Sequence, residues 1–273
     1  MVSDRWHFGE RTYAQLYRPD TNLDGFGLLG QAGWRWTEMF LASRGAVIAT
    51  LTADNDTLIK RLANRGDDHV TNNSDLLQIS SLYEIARRDS NNVGAIYDTS
   101  DEAADAEKFD HFVTSLIDEA KRREELAYKL ARWPEWRGYV GSLTADVLLV
   151  GDKRNVTKKY GDETRLPFMP VDGNSGDFLL NALPSMFWRS VGMVNGAETE
   201  DLGLLWESLG EPRIVALGNE AANALVSQGL KDFIKVPHPQ WVRRFHNSAQ
   251  KLYGKDIQMA ATTGEIAWTP QVR

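Results

Sequence analysis

Twice in the second half of the chain an apolar run breaks at a glycine turn. "ADVLLVGDKRN" at 145–155 reads as a strand ending in a Gly turn, and "RIVALGNEAANALVSQGL" at 213–230 repeats the plan as strand, Gly218 turn and helix. "KDFIKVPHPQWVRRF" at 231–245 adds a third strand that ends at His238-Pro239. Strands alternating with helices predict an α/β fold on a parallel sheet, and such folds place ligand-binding groups where their strands end. Between the first two, "LPFMPVDGNSGDFLLNAL" at 166–183 predicts a loop running into a helix, with Ser175 placed to cap it and Phe178, Leu179 and Leu183 facing inward.

The first half alternates in the same way. "AVIATLT" at 46–52 predicts a short buried strand, followed by a helix over 56–64 that Asp54 or Asp56 would cap. A helix over about 74–89, a strand within 93–100 and a long helix from about 102 to 132 come next. The last carries a stripe of Phe109, Phe112, Val113, Leu116 and Ile117, the spacing of one buried face. Pro134, Gly138 and Gly141 stop it, which puts a domain boundary near 138–145 and divides the chain into 1–137 and 145–273. Trp133, Trp136 and Tyr139 at this join fit either a seal between domains or a nucleic-acid stacking platform, and the seal is the simpler expectation.

Composition removes several classes. The 273 residues contain no cysteine, so disulfides, thiolate zinc sites and Cys-ligated iron–sulfur clusters are excluded. No metal site is expected. No apolar run is long enough for a bilayer and no leader-like segment opens the chain, so the expected compartment is the cytoplasm. The net charge of −7 opposes a nonspecific nucleic-acid coat, but it is uneven: residues 146–273 hold 14 basic and 15 acidic side chains. The second half is therefore the better one to approach a phosphate backbone.

Within the first half, "DRWHFGERTY", "LIKRLANRGDDHV" and "AIYDTSDEAAD" resemble the thymidylate kinase group of P-loop nucleoside monophosphate kinases, particularly phage-type members, over roughly residues 3–130. The resemblance implies that Asp4 and Arg5 contact an acceptor phosphate and that Arg61 and Arg65 belong to a lid. Arginine suits that work because its planar fork of donors matches phosphate oxygens. Yet no G-x-x-x-x-G-K-[ST] loop occurs in the chain, so ATP and Mg²⁺ enter only if a Walker loop lies upstream. A degenerate domain and a reading frame that begins earlier both account for this.

In the second half, "GNSGDFLLNAL", "VALGNEAANAL" and "VPHPQ" are similar to the uracil-DNA glycosylase superfamily, families 4 and 5 above all, over about residues 145–250. The resemblance implies an α/β/α sandwich with a nucleobase pocket. It assigns Asp152 in the Gly151-Asp152-Lys153 turn to water handling or the sugar cation, and Phe168 to stacking. Asn195 in "GMVNG" would read the base edge, and His238 would stabilise the departing base. Breaking an N-glycosidic bond develops opposite charges on sugar and base, which such groups counter. Lys153 stands where hydrolytic members often carry Asp or Asn, and the cluster cysteines of families 4 and 5 are absent. Taken singly, His238 also fits a structural turn before proline, Phe168 a core position and Asn195-Gly196 a plain turn. Arg243 and Arg244, with Lys251, are candidates for DNA phosphates or an ordinary solvated face.

The expectation is a two-domain α/β protein, an incomplete P-loop-kinase-like sheet followed by a glycosylase-like domain. Its ligand is expected to be DNA or a nucleotide, with a modified base recognised or excised, in the host cytoplasm if phage-encoded. The alternatives are a nucleoside monophosphate kinase completed upstream and a non-catalytic base-binding module.

Overall fold

The structure is a computed structural model that describes residues 6–17, 30–65, 72–100, 106–131, 138–153, 166–170 and 174–266. It is a mixed α/β protein whose sheets are largely parallel. The chain divides into two compact units. The described residues up to Trp34 and from Ala46 to Arg123 form the first, and Arg35–Gly45 with everything from Glu124 onward form the second.

In the first unit, helix α1 (Trp6–Tyr17) and the start of α2 (Gly30–Ser43) precede strand β1 (Ile48–Thr52) and helix α3 (Asn55–Arg65). Helix α4 (Asn73–Asp89), strand β2 (Val93–Asp98) and most of α5 (Ala106–Ala131) complete it. β1 and β2 pair in parallel, Thr52 opposite Asp98. The polar residues before the helices satisfy their free N–H groups: Asp54 Oδ1 accepts from Thr57 N at 2.7 Å and Asn72 Oδ1 from Asp75 N at 2.8 Å. α1 packs on α4 through the Arg11–Asp89 ion pair at 2.6 Å, with the Arg11 guanidinium 5.0 Å from the centre of the Trp34 ring. Glu119 accepts from Arg122 and Arg123, which holds its carboxyl down at about 2.

Two expectations for this unit need correction. β1 is not buried throughout: Ala49 and Leu51 are exposed, as is Ile96 on β2. On α5 Phe112 is buried and Val113 and Leu116 are half-buried, but Phe109 and Ile117 are exposed. The reason is dimensional. A 26-residue helix is about 39 Å long, roughly twice the span of a strand of five or six residues, and among the described residues this sheet has two strands.

The second unit holds a five-stranded sheet in the order β3 (Val140–Gly141), β5 (Val191–Asn195), β4 (Val147–Gly151), β6 (Arg213–Leu217), β7 (Ile234–Val236). β3 is antiparallel to β5 and the other pairings are parallel. Every residue of β4 and β5 is buried, as central strands with both faces covered require. Leu148, Val150, Val194, Ile214 and Ala216 share a core with α7 (Leu202–Ser208), α8 (Asn219–Ser227), the end of α5 and Tyr139. Tyr139 is fully buried, so its ring is core and not a stacking platform; Trp133 and Trp136 lie outside the described residues. Helix α10 (Gln250–Thr262) packs along β6 and β7 and against α6 (Ser175–Ala182), Tyr253 meeting Phe178 at 5.9 Å. Phe178, Leu179 and Leu183 are buried. Asn174, not Ser175, caps α6: its Oδ1 accepts from Asp177 N at 2.8 Å, because Ser175 is already inside the first turn. The third apolar run forms only a three-residue strand, and Pro239 opens helix α9 (Pro239–Phe245) with His238 as its cap.

Arg35–Gly45 joins this unit through hydrogen bonds. Arg35 is buried and donates from Nη1 to the carbonyls of Leu180 at 2.5 Å and Leu183 at 2.8 Å, and from Nη2 to Ser185 Oγ at 3.1 Å. These are carbonyls at the C-terminal end of α6, which the helix itself leaves unpaired. Trp36 Nε1 donates to Pro167 O at 3.2 Å and Arg44 Nη1 to Tyr139 O at 3.2 Å. Arg35→Met, which keeps the stem and removes the donors, is expected to cost about 1.5–3 kcal/mol, read as a lower urea midpoint with little change in slope; an unchanged midpoint would mean that solvent satisfies these carbonyls equally well.

Candidate functional site

β4 leads to β5 on one side of itself and β6 leads to β7 on the other, so the connections diverge at the carboxyl ends of β4 and β6. Parallel sheets bind ligands at such a switch point. The groups placed here are Gly151 at the end of β4 and Asp152 after it, Asn195 at the end of β5, Gly218 after β6 and His238 after β7. The residues expected from sequence to form a pocket thus lie on one edge of one sheet.

Phe168 meets this edge from the loop after β4. A Cβ on Gly151 would stand 2.6 Å from Cζ and 2.8 Å from Cε2 of Phe168, and 3.2 Å from Oδ1 of Asn195. The ring can rest on the strand end only because residue 151 has no side chain. The backbone of Phe168 is held just as closely: a Cβ on Gly176, in the first turn of α6, would be 2.4 Å from Phe168 O. Asn174 Nδ2 also donates to Met169 O at 2.9 Å, and Trp36 fixes Pro167 O. Phe168 has φ +50°, the left-handed region that a bulky side chain enters at a cost of roughly 1–2 kcal/mol. The half-buried ring is therefore placed by its surroundings against its own backbone preference.

Asn195 is buried, and its Nδ2 donates to Glu198 Oε2 at 2.9 Å. The 3₁₀ turn Gly196–Glu198 follows directly, fastened by Thr199 Oγ1 to Asn195 O at 2.8 Å and by Ala197 N to Asp152 O at 3.0 Å. The turn after β5 is thereby tied to the turn after β4. Sequence reading did not single out Glu198, and an Asn-Gly pair followed by a glutamate carries no signal that would have found it.

His238 Nδ1 accepts from Gln240 N at 3.1 Å, so the neutral ring carries its proton on Nε2 and presents a donor there. Burial pushes its pKa below the ordinary histidine value, and the Asp152 carboxylate partly opposes that shift. Gly218, at φ +104°, makes room for it, since a Cβ there would be 2.8 Å from His238 Cβ. Tyr253 OH fixes the preceding carbonyl, Pro237 O, at 2.8 Å. Lys153 is exposed.

The other candidates lie on α9 and α10 of the second unit, in the first unit or outside the described residues. Arg243 and Arg244 lie on α9 just beyond His238. Arg244 is exposed and donates to the Gln240 side-chain oxygen from Nε at 3.1 Å and Nη2 at 3.0 Å. Lys251 is exposed on α10. In the first unit Arg61 is engaged at the end of β2, donating to Thr99 Oγ1 at 2.8 Å and Thr99 O at 2.5 Å. Arg65 closes α3, but its side chain lies outside the described set, as do Asp4 and Arg5. Among the described residues no group of three or more His, Asp or Glu side chains could hold a metal ion, and no helix is long and apolar enough to cross a membrane. No protein-family model matches the chain, and no curated protein matches it in sequence.

The opposing effects on His238 give a prediction. Its ring resonances are expected to titrate with a midpoint below about 6.5, and Asp152→Asn should move that midpoint lower still. Because the folded value is the depressed one, the stability that neutral His238 contributes is complete above about pH 6.5 and is lost as pH falls through the folded midpoint. A midpoint unmoved by Asp152→Asn, followed by NMR, would separate the two groups.

Proposed function

We propose that the second unit is a uracil-DNA-glycosylase-like α/β/α domain whose pocket takes a nucleobase, and that it excises a modified base from DNA. One observation carries this: Phe168 is held in a left-handed conformation with its ring on Gly151, beside Asn195 Oδ1, at the switch point of a parallel sheet. A fixed aromatic face next to an amide suits a flat heterocycle, stacking on one and hydrogen-bonding to the other. Neutral His238 directs Nε2–H at a base oxygen and stabilises the charge that grows there as the bond breaks. Asp152 positions water or offsets the sugar cation. Water oxygen adds to C1′ as the C1′–N bond breaks, the bonding pair leaves with the base, the hydroxyl stays on the sugar, and the spare proton passes to base or solvent. Arg243 and Arg244 lie beyond His238, where they would meet backbone phosphates.

The first unit is read as a thymidylate-kinase-like domain lacking a P-loop. Its parallel β1–β2 pair, interleaved with helices, supports that assignment.

The exposed Lys153, adjoining Asp152, favours a second possibility in which the pocket binds a base without cleaving it. Oligonucleotides carrying uracil, hypoxanthine, xanthine or 5-hydroxymethyluracil, single- and double-stranded, distinguish the two. Excision predicts abasic product that His238→Ala abolishes, whereas retained binding with no abasic product supports the binding module. In either case Phe168→Ala is expected to weaken the interaction about 5- to 150-fold, the worth of one stacked base, measured as kcat/KM or Kd.

A further inference from the structure

We propose that Glu198 is a positioning residue whose carboxylate holds the Asn195 amide in one orientation, so that the pocket selects heterocycles presenting an N–H at that edge. This rests on the nucleobase pocket proposed above and adds how its edge is read. An Asn side chain has a donor end and an acceptor end of almost equal size, and an unrestrained amide offers either. A carboxylate accepts only. Glu198 Oε2 at 2.9 Å from Nδ2 therefore fixes which end points away from the site. The acceptor end is turned the other way, Oδ1 standing 3.2 Å from the position a Gly151 Cβ would take, the same position the Phe168 ring edge borders.

The turn that carries this exposed carboxylate is itself fastened. Glu198 ends the 3₁₀ turn directly after β5, with Ala197 N bonded to Asp152 O and the buried Thr199 bonded through Oγ1 to Asn195 O. Gln228 closes the far side, donating from Nε2 to Thr199 O at 2.8 Å and accepting from Leu202 N at 2.7 Å. A glutamine at position 198 would preserve size and still bond Asn195, but from either of its ends, so either orientation of the Asn amide would be satisfied. The selection comes from the charge of Glu198 and not from its bulk.

The test uses the full chain and two probe pairs, uracil with 3-methyluracil and hypoxanthine with 1-methylhypoxanthine, each methyl removing the N–H of the pairing edge and leaving the N–H where the sugar would attach. Affinities are measured by calorimetry for the wild type and for Glu198→Gln. The wild type is expected to prefer the N–H member of a pair. In Glu198→Gln that preference should shrink roughly tenfold, what one charge-assisted hydrogen bond supplies, with an unchanged melting temperature. A preference equal to that of the wild type would overturn the role of Glu198 and leave the pocket standing. A wild type that binds none of the four would overturn both. A second arm compares two variants with each other and not with the wild type: Asn195→Asp sets two carboxylates against each other and should lose binding, and adding Glu198→Gln to it should restore binding of the N–H probe. Failure of the double variant to exceed the single one would equally overturn the proposal.

Discussion

A strand buried along its whole length can meet a ligand only at its end. β4 and β5 are buried at all five positions each, and every apolar side chain there is committed to packing. Each large aliphatic among them adds about 1.5–3 kcal/mol by leaving water, so none is available for chemistry. The polar residues of the candidate site accordingly fall at the last strand residue or just beyond it: Asn195, Asp152 and His238. The same burial makes those positions rigid. The turns after β4 and β5 hang from a packed sheet and are bonded to each other through Ala197 N and Asp152 O.

Phe168 shows how such rigidity is used. Left to itself a phenylalanine avoids φ +50°, yet the residue is fixed there by two close approaches, its ring on Gly151 and its carbonyl on Gly176. The helix start that accommodates its carbonyl is the one capped by Asn174, which also bonds Met169. Placement of the ring is therefore a property of the loop and helix together.

The sequence made some of this legible and concealed the rest for physical reasons. Apolar runs that stop at glycine expose themselves: the Gly218 turn and the helix after it were readable from "RIVALGNEAANAL", while the cap of α3 was narrowed to Asp54 or Asp56 and the structure selects Asp54. β5 gave no comparable signal, because its apolar run is interrupted by Gly192, ends at Asn195 and is followed by a 3₁₀ turn in place of a helical period. Periodicity on α5 correctly marked an apolar stripe but says nothing of what lies opposite, and Phe109 and Ile117 remain exposed. The cluster of Gly151, Phe168 and Asn195 was suggested by family resemblance, while the close approaches that would make it a pocket are tertiary. Glu198 was invisible because an exposed glutamate after a turn has many ordinary reasons to be there.

Arg35 reaches carbonyls that lie 145 and 148 residues further along the chain, and Trp36 another 131 residues on. Contacts of such separation are slow to form, since the loop they close must be ordered before they repay its entropy. During synthesis the segment around Arg35 leaves the ribosome long before α6 exists and must wait for it, with its apolar neighbours exposed in the interval. The second unit is thus not a block that could be cut out at Glu124 and moved to another protein intact, because the fragment would leave behind the guanidinium that closes α6 and the indole that holds the Phe168 loop.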